Sequence, residues 1–339
     1  MQHTLRTLAS TLLLVGGLAA CVDDPDAPLG DTADALSVWQ WPDDTAITGK
    51  DSTRQVAMAQ LGTRLHMIYT TYDSSTSTQL KWTRWAGTSW SVPVSVGLAT
   101  DSRPALATYN DRLHLVFKPV GQGRLMMAVG DSSTFGAPVT VGRSLGSYVP
   151  SMPHLLAYGG KLYLSYCATS GSGSVVNVDR YDGTSWTTLL QQTVATNDQY
   201  RCASALMAPT PDTGEVELIY SVVESGTNTF YYSAVWRRRL VIGRSSTIIY
   251  SPEPLPMKSR KPLSVVTCNG ATHLVHGGYS TETEIWWSFR EGGDWVTDAK
   301  VPDQWSGAGA ALGCYDDTQT LMVHNVSGGT QLMQSIFGP

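Results

Sequence analysis

The sequence predicts an all-β protein made of six copies of one four-stranded unit, and three observations support this. The composition favours strands and turns, because 32 Gly, 11 Trp and 15 Tyr accompany only 23 Lys and Arg. A small-residue apolar strand, a polar turn and a second strand opening on Leu recur about every 50 residues. The turns between these strands contain Gly, Asn or Asp, which readily adopt the positive φ of tight hairpins.

Residues 1–20 precede the repeats and are predicted to form an export signal. Arg6 is followed by an apolar run from Leu12 to Leu18, which is too short to span a membrane as a stable helix. The sequence Leu18-Ala19-Ala20-Cys21 resembles the lipobox of bacterial lipoproteins, which implies lipidation of Cys21. Because Val22 follows the cysteine, we expect an exported protein held in the outer membrane by its lipid alone. An ordinary signal peptide with an incidental cysteine is the alternative.

Residues 21–36 are expected to form a flexible acidic tether, and residues 37–339 the folded domain. The tether contains five Asp and no Lys or Arg, so most of the formal charge of −5 belongs to it. The folded domain is therefore nearly neutral. This argues against nucleic acid as a partner, since phosphate binding needs a dense basic surface.

The repeats are marked by a leucine in each second strand. These leucines are Leu65, Leu113, Leu162, Leu218, Leu274 and Leu321. The predicted hairpin turns are Asn110-Asp111, Gly159-Gly160, Asn269-Gly270 and Asp316-Asp317. A Gly-x-x-Trp turn, as in Gly87 to Trp90, then joins a third strand to a fourth. Four strands per repeat of about 50 residues are typical of a β-propeller blade.

The last repeat ends after three strands, which would leave an exposed sheet edge. The Trp-x-x-Pro sequence that opens the fourth strand at Trp90 recurs near the N-terminus from Trp39 to Pro42. We therefore predict that the N-terminal segment supplies the outer strand of the last blade. This closes a six-bladed β-propeller.

Two turns carry a resemblance to a known group of propellers. Residues 85–90 and 181–186 keep the Gly and Trp of the Asp-box found in sialidase folds, whereas Trp85 and Tyr181 occupy the place of its Asp. Across residues 37–339 the chain resembles six-bladed propellers of the sialidase-like and propeller-lectin group. That resemblance implies a propeller architecture and makes glycans the expected ligands.

Four cysteines remain after Cys21, and export favours disulfides over a zinc site. In a propeller, Cys167 would close the second strand of blade 3 near Cys202, which opens the first strand of blade 4. Cys268 and Cys314 would both end first strands, in blades 5 and 6. We therefore predict the pairs Cys167–Cys202 and Cys268–Cys314, and we expect no metal and no cofactor.

Arginines stand near the start of the first strand in four of the six predicted blades. They are Arg54, Arg103, Arg201 and Arg260. Guanidinium groups converging on the propeller axis would hold a carboxylate or sulfate, and the sialidase resemblance implies an arginine cluster on this face. In the alternative, each arginine pairs with a nearby acid such as Asp51, Asp101 or Asp198 and fixes the loop.

Other polar and aromatic residues are expected mainly to stabilise the fold. Packing between blades is favoured for two histidines and three tryptophans, with ligand binding or sugar stacking as the alternative; they are His66, His114, Trp82, Trp286 and Trp287. The basic run Arg237 to Arg239, together with Arg244, Lys258, Arg260 and Lys261, is predicted to lie on a solvated outer hairpin. Attraction to anionic lipopolysaccharide or acidic glycan is its alternative.

The sequence gives little indication of catalysis. It lacks nucleophile-elbow, zinc-protease and phosphate-loop motifs, and Arg103-Pro104 is only a fragment of the Arg-Ile-Pro motif of sialidases. Tyrosines and acids predicted near the ends of second strands are Tyr72, Asp73, Tyr220, Glu224, Tyr279 and Glu282. We expect a monomeric module that binds glycans or another extracellular ligand. A sialidase-like glycoside hydrolase and a protein-binding scaffold are the alternatives.

Lipidation of Cys21 predicts that the protein becomes labelled when bacteria expressing it are fed a radioactive fatty acid. Cys21→Ser should abolish the label because the thiol that carries the acyl groups is gone. Ser10→Ala, a change in the same leader, should label normally. Equal labelling of the Cys21→Ser protein would show that Cys21 is not the attachment site.

Overall fold

The structure, a computed structural model, describes residues 41–338 except for ten short segments. These are residues 75–76, 143–147, 171–172, 196–199, 211–213, 225–232, 243–246, 279–282, 291–292 and 297–298. The described residues form antiparallel sheets and no helix. Accordingly, none of them belongs to a helix long and apolar enough to cross a bilayer. The predicted signal, Cys21 and the tether lie outside this part.

The sheets form the six blades of a β-propeller, as the sequence predicts. The N-terminal strand is β1 (Thr45–Asp51). Blade 1 contains β2 (Ala57–Leu61), β3 (Arg64–Ser74), β4 (Ser77–Trp85) and β5 (Val94–Ala99). Blade 2 contains β6 (Ala105–Tyr109), β7 (Arg112–Phe117), β8 (Leu125–Gly130) and β9 (Val139–Val141). Blade 3 contains β10 (Val149–Tyr158), β11 (Lys161–Ser170), β12 (Gly173–Tyr181) and β13 (Trp186–Ala195).

The second half of the ring follows the same plan. Blade 4 contains β14 (Tyr200–Pro209), β15 (Glu215–Glu224), β16 (Ser233–Ile242), β17 (Thr247–Ile249) and β18 (Glu253–Pro254). Blade 5 contains β19 (Ser264–Cys268), β20 (Ala271–Gly277), β21 (Glu284–Arg290) and β22 (Ala299–Trp305). Blade 6 contains β23 (Ala311–Tyr315), β24 (Gln319–Asn325) and β25 (Gln331–Phe337), and β1 completes it.

The first strands of the blades contact one another in a closed circle around the axis. We call the face where these strands begin the upper face and the face where they end in hairpins the lower face. The predicted hairpins lie on the lower face, and Asn110, Asp111, Asn269, Asp316 and Asp317 all have φ between 49° and 56°. Positive φ at both central residues matches the twist of the flanking strands, so these short loops fix the register of each hairpin.

Backbone groups on the inner strands receive side-chain partners from the preceding blade. A first strand forms one edge of its sheet and therefore presents N–H groups that have no partner within that sheet. A side chain of one blade accepts a hydrogen bond from such an N–H of the following blade. This occurs at four of the junctions in the described structure, from blades 2 and 3 to blades 5 and 6. The acceptor and donor residues are Ser102 and Met152, His154 and Met207, Ser204 and Leu263, and Ser264 and Leu312.

The N-terminal segment closes blade 6, which confirms the predicted split blade. Strand β1 runs antiparallel to β25, with Thr45 opposite Gln334. Trp41 is 5% exposed and its ring lies 6.0 Å from that of Trp287 in blade 5 and 5.4 Å from that of Phe337 in blade 6. The segment therefore first packs between blades 5 and 6, and its strand β1 then pairs with the edge of blade 6.

The fifth blade differs from the repeat alignment by two residues. Trp82 lies opposite Ile68 in blade 1, and Trp287 lies opposite Val275 in blade 5. The structural counterpart of His66 is therefore His273, and Leu274 lies two residues beyond the marker position. A shift of two keeps each side chain on the same side of a strand, so the apolar pattern alone did not reveal it.

Both predicted disulfides are present. Cys167 and Cys202 join blades 3 and 4 with their Cα atoms 5.5 Å apart, and Cys268 and Cys314 join blades 5 and 6 at 5.4 Å. The two bridges close loops of 35 and 46 residues, and loops of this size are worth on the order of 4 kcal/mol each in the chain-entropy account.

Replacing Trp41 by Ala should lower the free energy of unfolding by about 3–5 kcal/mol, because it empties a packed site between two blades. Equilibrium urea unfolding followed by far-ultraviolet circular dichroism would measure this loss. Trp305→Ala is the matched control, since Trp305 is 41% exposed, and its effect should stay within about 1 kcal/mol. Equal stability of the two variants would contradict a closing role for the N-terminal segment.

Candidate functional site

The upper end of the propeller axis is closed by two side chains, Gln55 and Arg103. Each lies two residues before a first strand, in blades 1 and 2, and they are 4% and 6% exposed. The Arg103 Nη1 donates to the Gln55 Oε1, and the Gln55 Nε2 donates to the carbonyl oxygen of Ala310 in blade 6. The pair therefore bridges three neighbouring blades across the point where the ring closes.

Arg103 also reaches the remaining blades. Its Nη1 donates to the Leu263 carbonyl of blade 5 at 2.9 Å. Its Nη2 lies 3.4 Å from the Met152 carbonyl of blade 3 and 3.3 Å from the Ser204 Oγ of blade 4. Together, Gln55 and Arg103 thus contact all six blades, and we call them the axial pair.

The charge of Arg103 has no acidic partner among the described residues. Burial lowers the pKa of its guanidinium to about 10, so it remains protonated at neutral pH. The groups it bonds are a side-chain amide, two backbone carbonyls and a hydroxyl, all of them neutral. A positive charge is therefore fixed at the axis and only dipoles solvate it.

The other three predicted arginines do not occupy the position of Arg103. The hydroxyls of Ser52, Thr100 and Ser259 each donate to the carbonyl oxygen two residues later in the chain. These three hydroxyl residues therefore occupy equivalent positions in the connections into blades 1, 2 and 5, and the connections can be aligned on them. In that alignment Gln55 corresponds to Arg103, whereas Arg54 comes one residue earlier and Arg260 two. Arg54 and Arg260 are half-buried, and Arg201, which precedes Cys202 in blade 4, is exposed.

The neighbouring acids mostly bond other groups. Asp101 pairs with Lys118 at 2.7 Å, and the described residues show no ion pair between Asp101 and Arg103. Asp51 accepts a hydrogen bond from Thr330. Among the described residues, Arg54 and Arg201 form no ion pair, and Asp198 lies outside them. The cationic groups of Arg54 and Arg201 are thus left for another partner on the upper face.

Below the axial pair lies a cavity of about 330 Å³. Its walls come from the first strands of all six blades, and residues such as Met58, Leu156 and Val265 make them largely apolar. His154 also lines it; burial and then the charge of Arg103 lower the pKa of this imidazole to about 3. The ring is therefore neutral at physiological pH.

The histidines and tryptophans weighed as ligand sites pack mainly between blades, as expected. His66 and Trp82 are 0% and 2% exposed, and the Trp82 Nε1 donates to the His66 Nδ1 at 2.9 Å. The same bond recurs between Trp287 and His273 at 3.3 Å. His114 is 5% exposed and Trp286 is half-buried. Burial lowers the pKa of both His66 and His273 to about 4.

The basic run lies on β16, which pairs with β17 at the outer side of blade 4; Arg237 and Arg238 are half-buried and Arg239 is exposed. Arg237 pairs with Glu253 at 3.1 Å and with Asp294 of blade 5 at 3.3 Å. The neighbouring Glu217 is 3% exposed and pairs with Arg290 of blade 5 at 2.7 Å. Arg237, the first arginine of the run, therefore belongs to an ion-pair network that joins two blades.

The catalytic candidates are only partly described. Tyr220 is 3% exposed, and burial raises the pKa of its hydroxyl, which makes it a poorer nucleophile. The side chains of Tyr72, Asp73 and Glu224, and all of Tyr279 and Glu282, lie outside the described residues.

The fold defines the class of the protein, a six-bladed β-propeller, and solved structures share it. A protein of unknown function from Dyadobacter fermentans is 12% identical, with a TM-score of 0.67 over 88% of this chain and 98% of its own. A sialidase of Streptococcus pneumoniae is 8% identical, with a TM-score of 0.62 over 88% of this chain and 70% of its own.

The Aleuria aurantia lectin, described as a six-bladed β-propeller with a novel mode of fucose recognition, is 14% identical. Its TM-score is 0.56 over 83% of this chain and 91% of its own. No protein-family model and no curated protein matches the sequence. At these identities the likeness establishes the fold alone.

Arg103→Met should lower the free energy of unfolding by about 3 kcal/mol, because hydrogen bonds from a charged donor to four groups are lost together. Arg201→Met is the matched control, since Arg201 is exposed, and its effect should be below about 1 kcal/mol. Urea unfolding monitored by tryptophan fluorescence would compare the two. Equal midpoints would show that the axial pair does not hold the ring together.

Proposed function

We propose that this protein is an exported binding module that recognises glycans carrying acidic groups on its upper face. The observation that carries the proposal is that Arg54 and Arg201 form no ion pair with a described acid, while the nearby Asp51 and Asp101 bond Thr330 and Lys118. Guanidinium groups bind carboxylates and sulfates through two parallel hydrogen bonds. Because one structural neighbour is a lectin, we expect the ligand that carries such groups to be a glycan.

Export and anchoring complete the proposal. The two disulfides suit an oxidising compartment. The lipobox-like sequence ending in Cys21 would hold the mature chain at the bacterial outer membrane, on its periplasmic or outer side. The acidic tether would then give the propeller freedom to reach ligands around it.

Binding is favoured over hydrolysis by the state of two residues. The Nη1 and Nη2 groups of Arg103 already donate to protein groups, so they do not form the two parallel hydrogen bonds that would hold a substrate carboxylate. Tyr220 is buried with a raised pKa, the opposite of what an activated tyrosine nucleophile requires. A sialidase-like activity and a protein scaffold remain the alternatives that the test separates.

The test is a glycan array probed with the purified protein and with an Arg54→Gln/Arg201→Gln double variant. Wild type should bind acidic glycans, and the double variant should bind them at least about tenfold more weakly because two bidentate contacts are lost. Arg64→Gln is the control, since Arg64 is exposed and begins β3 on the lower face.

A fluorogenic sialoside assay would run beside the array. Glycan binding without turnover supports the module, whereas turnover would identify a hydrolase. If the protein neither binds a glycan nor hydrolyses the sialoside, the protein-binding scaffold would be the remaining function. Undiminished binding by the double variant would move the glycan site away from Arg54 and Arg201.

A further inference from the structure

Among the residues that the structure describes, those at the upper end of the axial cavity are buried and those at its lower end are exposed. At its upper end Gln55, Arg103 and Leu263 are nearly inaccessible to solvent. At its lower end Ala157 and Thr267, which also line it, are exposed. A molecule would therefore enter from the lower face, opposite to the arginines of the upper face. At about 330 Å³ the cavity is within the size range of small-molecule sites, roughly 300–1,000 Å³.

The closed end of the cavity carries an unbalanced positive charge. Arg103 lines it, remains protonated, and bonds only neutral groups. Asp101, the acid nearest to it in sequence, is held by Lys118. A buried cation is normally paired with an anion, because dipoles alone replace its lost hydration incompletely. An anion in the cavity would supply that missing charge.

A neutral hydrogen-bond donor stands beside this charge. The His154 Nδ1 accepts from the Met207 N–H at 3.2 Å, so the Nε2 carries the ring proton. No described residue bonds that Nε2. Arg103 lies close enough to His154 to act on it electrostatically. The two residues thus combine a positive potential and a free N–H donor in a cavity that also has apolar walls.

We propose that the axial cavity binds a small monocarboxylate with an apolar body, its carboxylate towards Arg103 and His154 and its body towards the lower opening. The carboxylate accepts from the His154 Nε2–H and compensates the guanidinium charge. The apolar body contacts walls that include Met58, Leu156 and Val265. This site is separate from the glycan surface on the upper face and does not depend on it.

The probe is benzoate, with benzamide as its uncharged counterpart of nearly the same shape. Titration calorimetry of the purified protein should show benzoate binding, and benzamide binding at least about tenfold more weakly, because only benzoate carries the compensating charge. Equal affinities for the two probes would overturn the charge argument. No detectable benzoate binding would overturn the proposal as a whole.

Variants locate the site. Ala157→Trp should weaken benzoate binding at least about tenfold by obstructing the opening, while Ala86→Trp, at an exposed alanine outside the cavity, should leave it unchanged. If the Ala157→Trp protein has a melting temperature below that of wild type, Thr267→Trp, at the same opening, takes its place in the test. Undiminished binding by the folded variant would place benzoate elsewhere.

His154→Phe tests the donor directly, because it keeps an aromatic ring and removes the Nε2–H. Benzoate binding should weaken while benzamide binding changes less, since the charge-assisted hydrogen bond is the stronger one. An unchanged ratio of the two affinities would overturn the role given to His154.

Discussion

The hydrogen bonds of Arg103 and Gln55 at the axis hold the six blades of this propeller in one ring. A propeller leaves the inner edge of every first strand without a sheet partner, and the blades converge where there is least room to satisfy those edges with water. The side chains of Gln55 and Arg103, from adjacent blades, donate hydrogen bonds to carbonyls of blades 3, 5 and 6 and to a hydroxyl of blade 4. Planar groups with several donors are suited to this, because they bond in several directions at once.

The same logic continues around the ring. Ser102, His154, Ser204 and Ser264 each accept an inner-strand N–H of the following blade. The two disulfides and the ion pair of Glu217 with Arg290 add further links between neighbouring blades. Closure by β1 then ties the first part of the domain to the last. Adjacent blades are therefore joined by polar and covalent bonds as well as by apolar packing.

The position of Arg103 also separates the upper face of the propeller from the cavity below it. By occupying the axis it closes the upper end, where a central arginine would otherwise meet a ligand. The arginines around it, Arg54 and Arg201, keep their charge on the upper face without an acid in the described structure. Below it, the same guanidinium polarises a cavity that opens on the lower face. One buried residue thus separates two surfaces of different chemistry.

The sequence by itself determined the strands, the turns, the number of blades, the closing strand and both disulfides. These follow from local periodicity, from turn residues with positive φ and from the order of the chain around a ring. Only the tertiary structure decided that, of the four predicted arginines, Arg103 is the one at the axis, that Gln55 partners it and that His154 borders a cavity. Arg103 and Leu263 are 160 residues apart, and no local pattern encodes a bond between them. The two-residue shift in blade 5 likewise became visible only when strand pairing placed His273 beside Trp287, because such a shift leaves the alternation of faces unchanged.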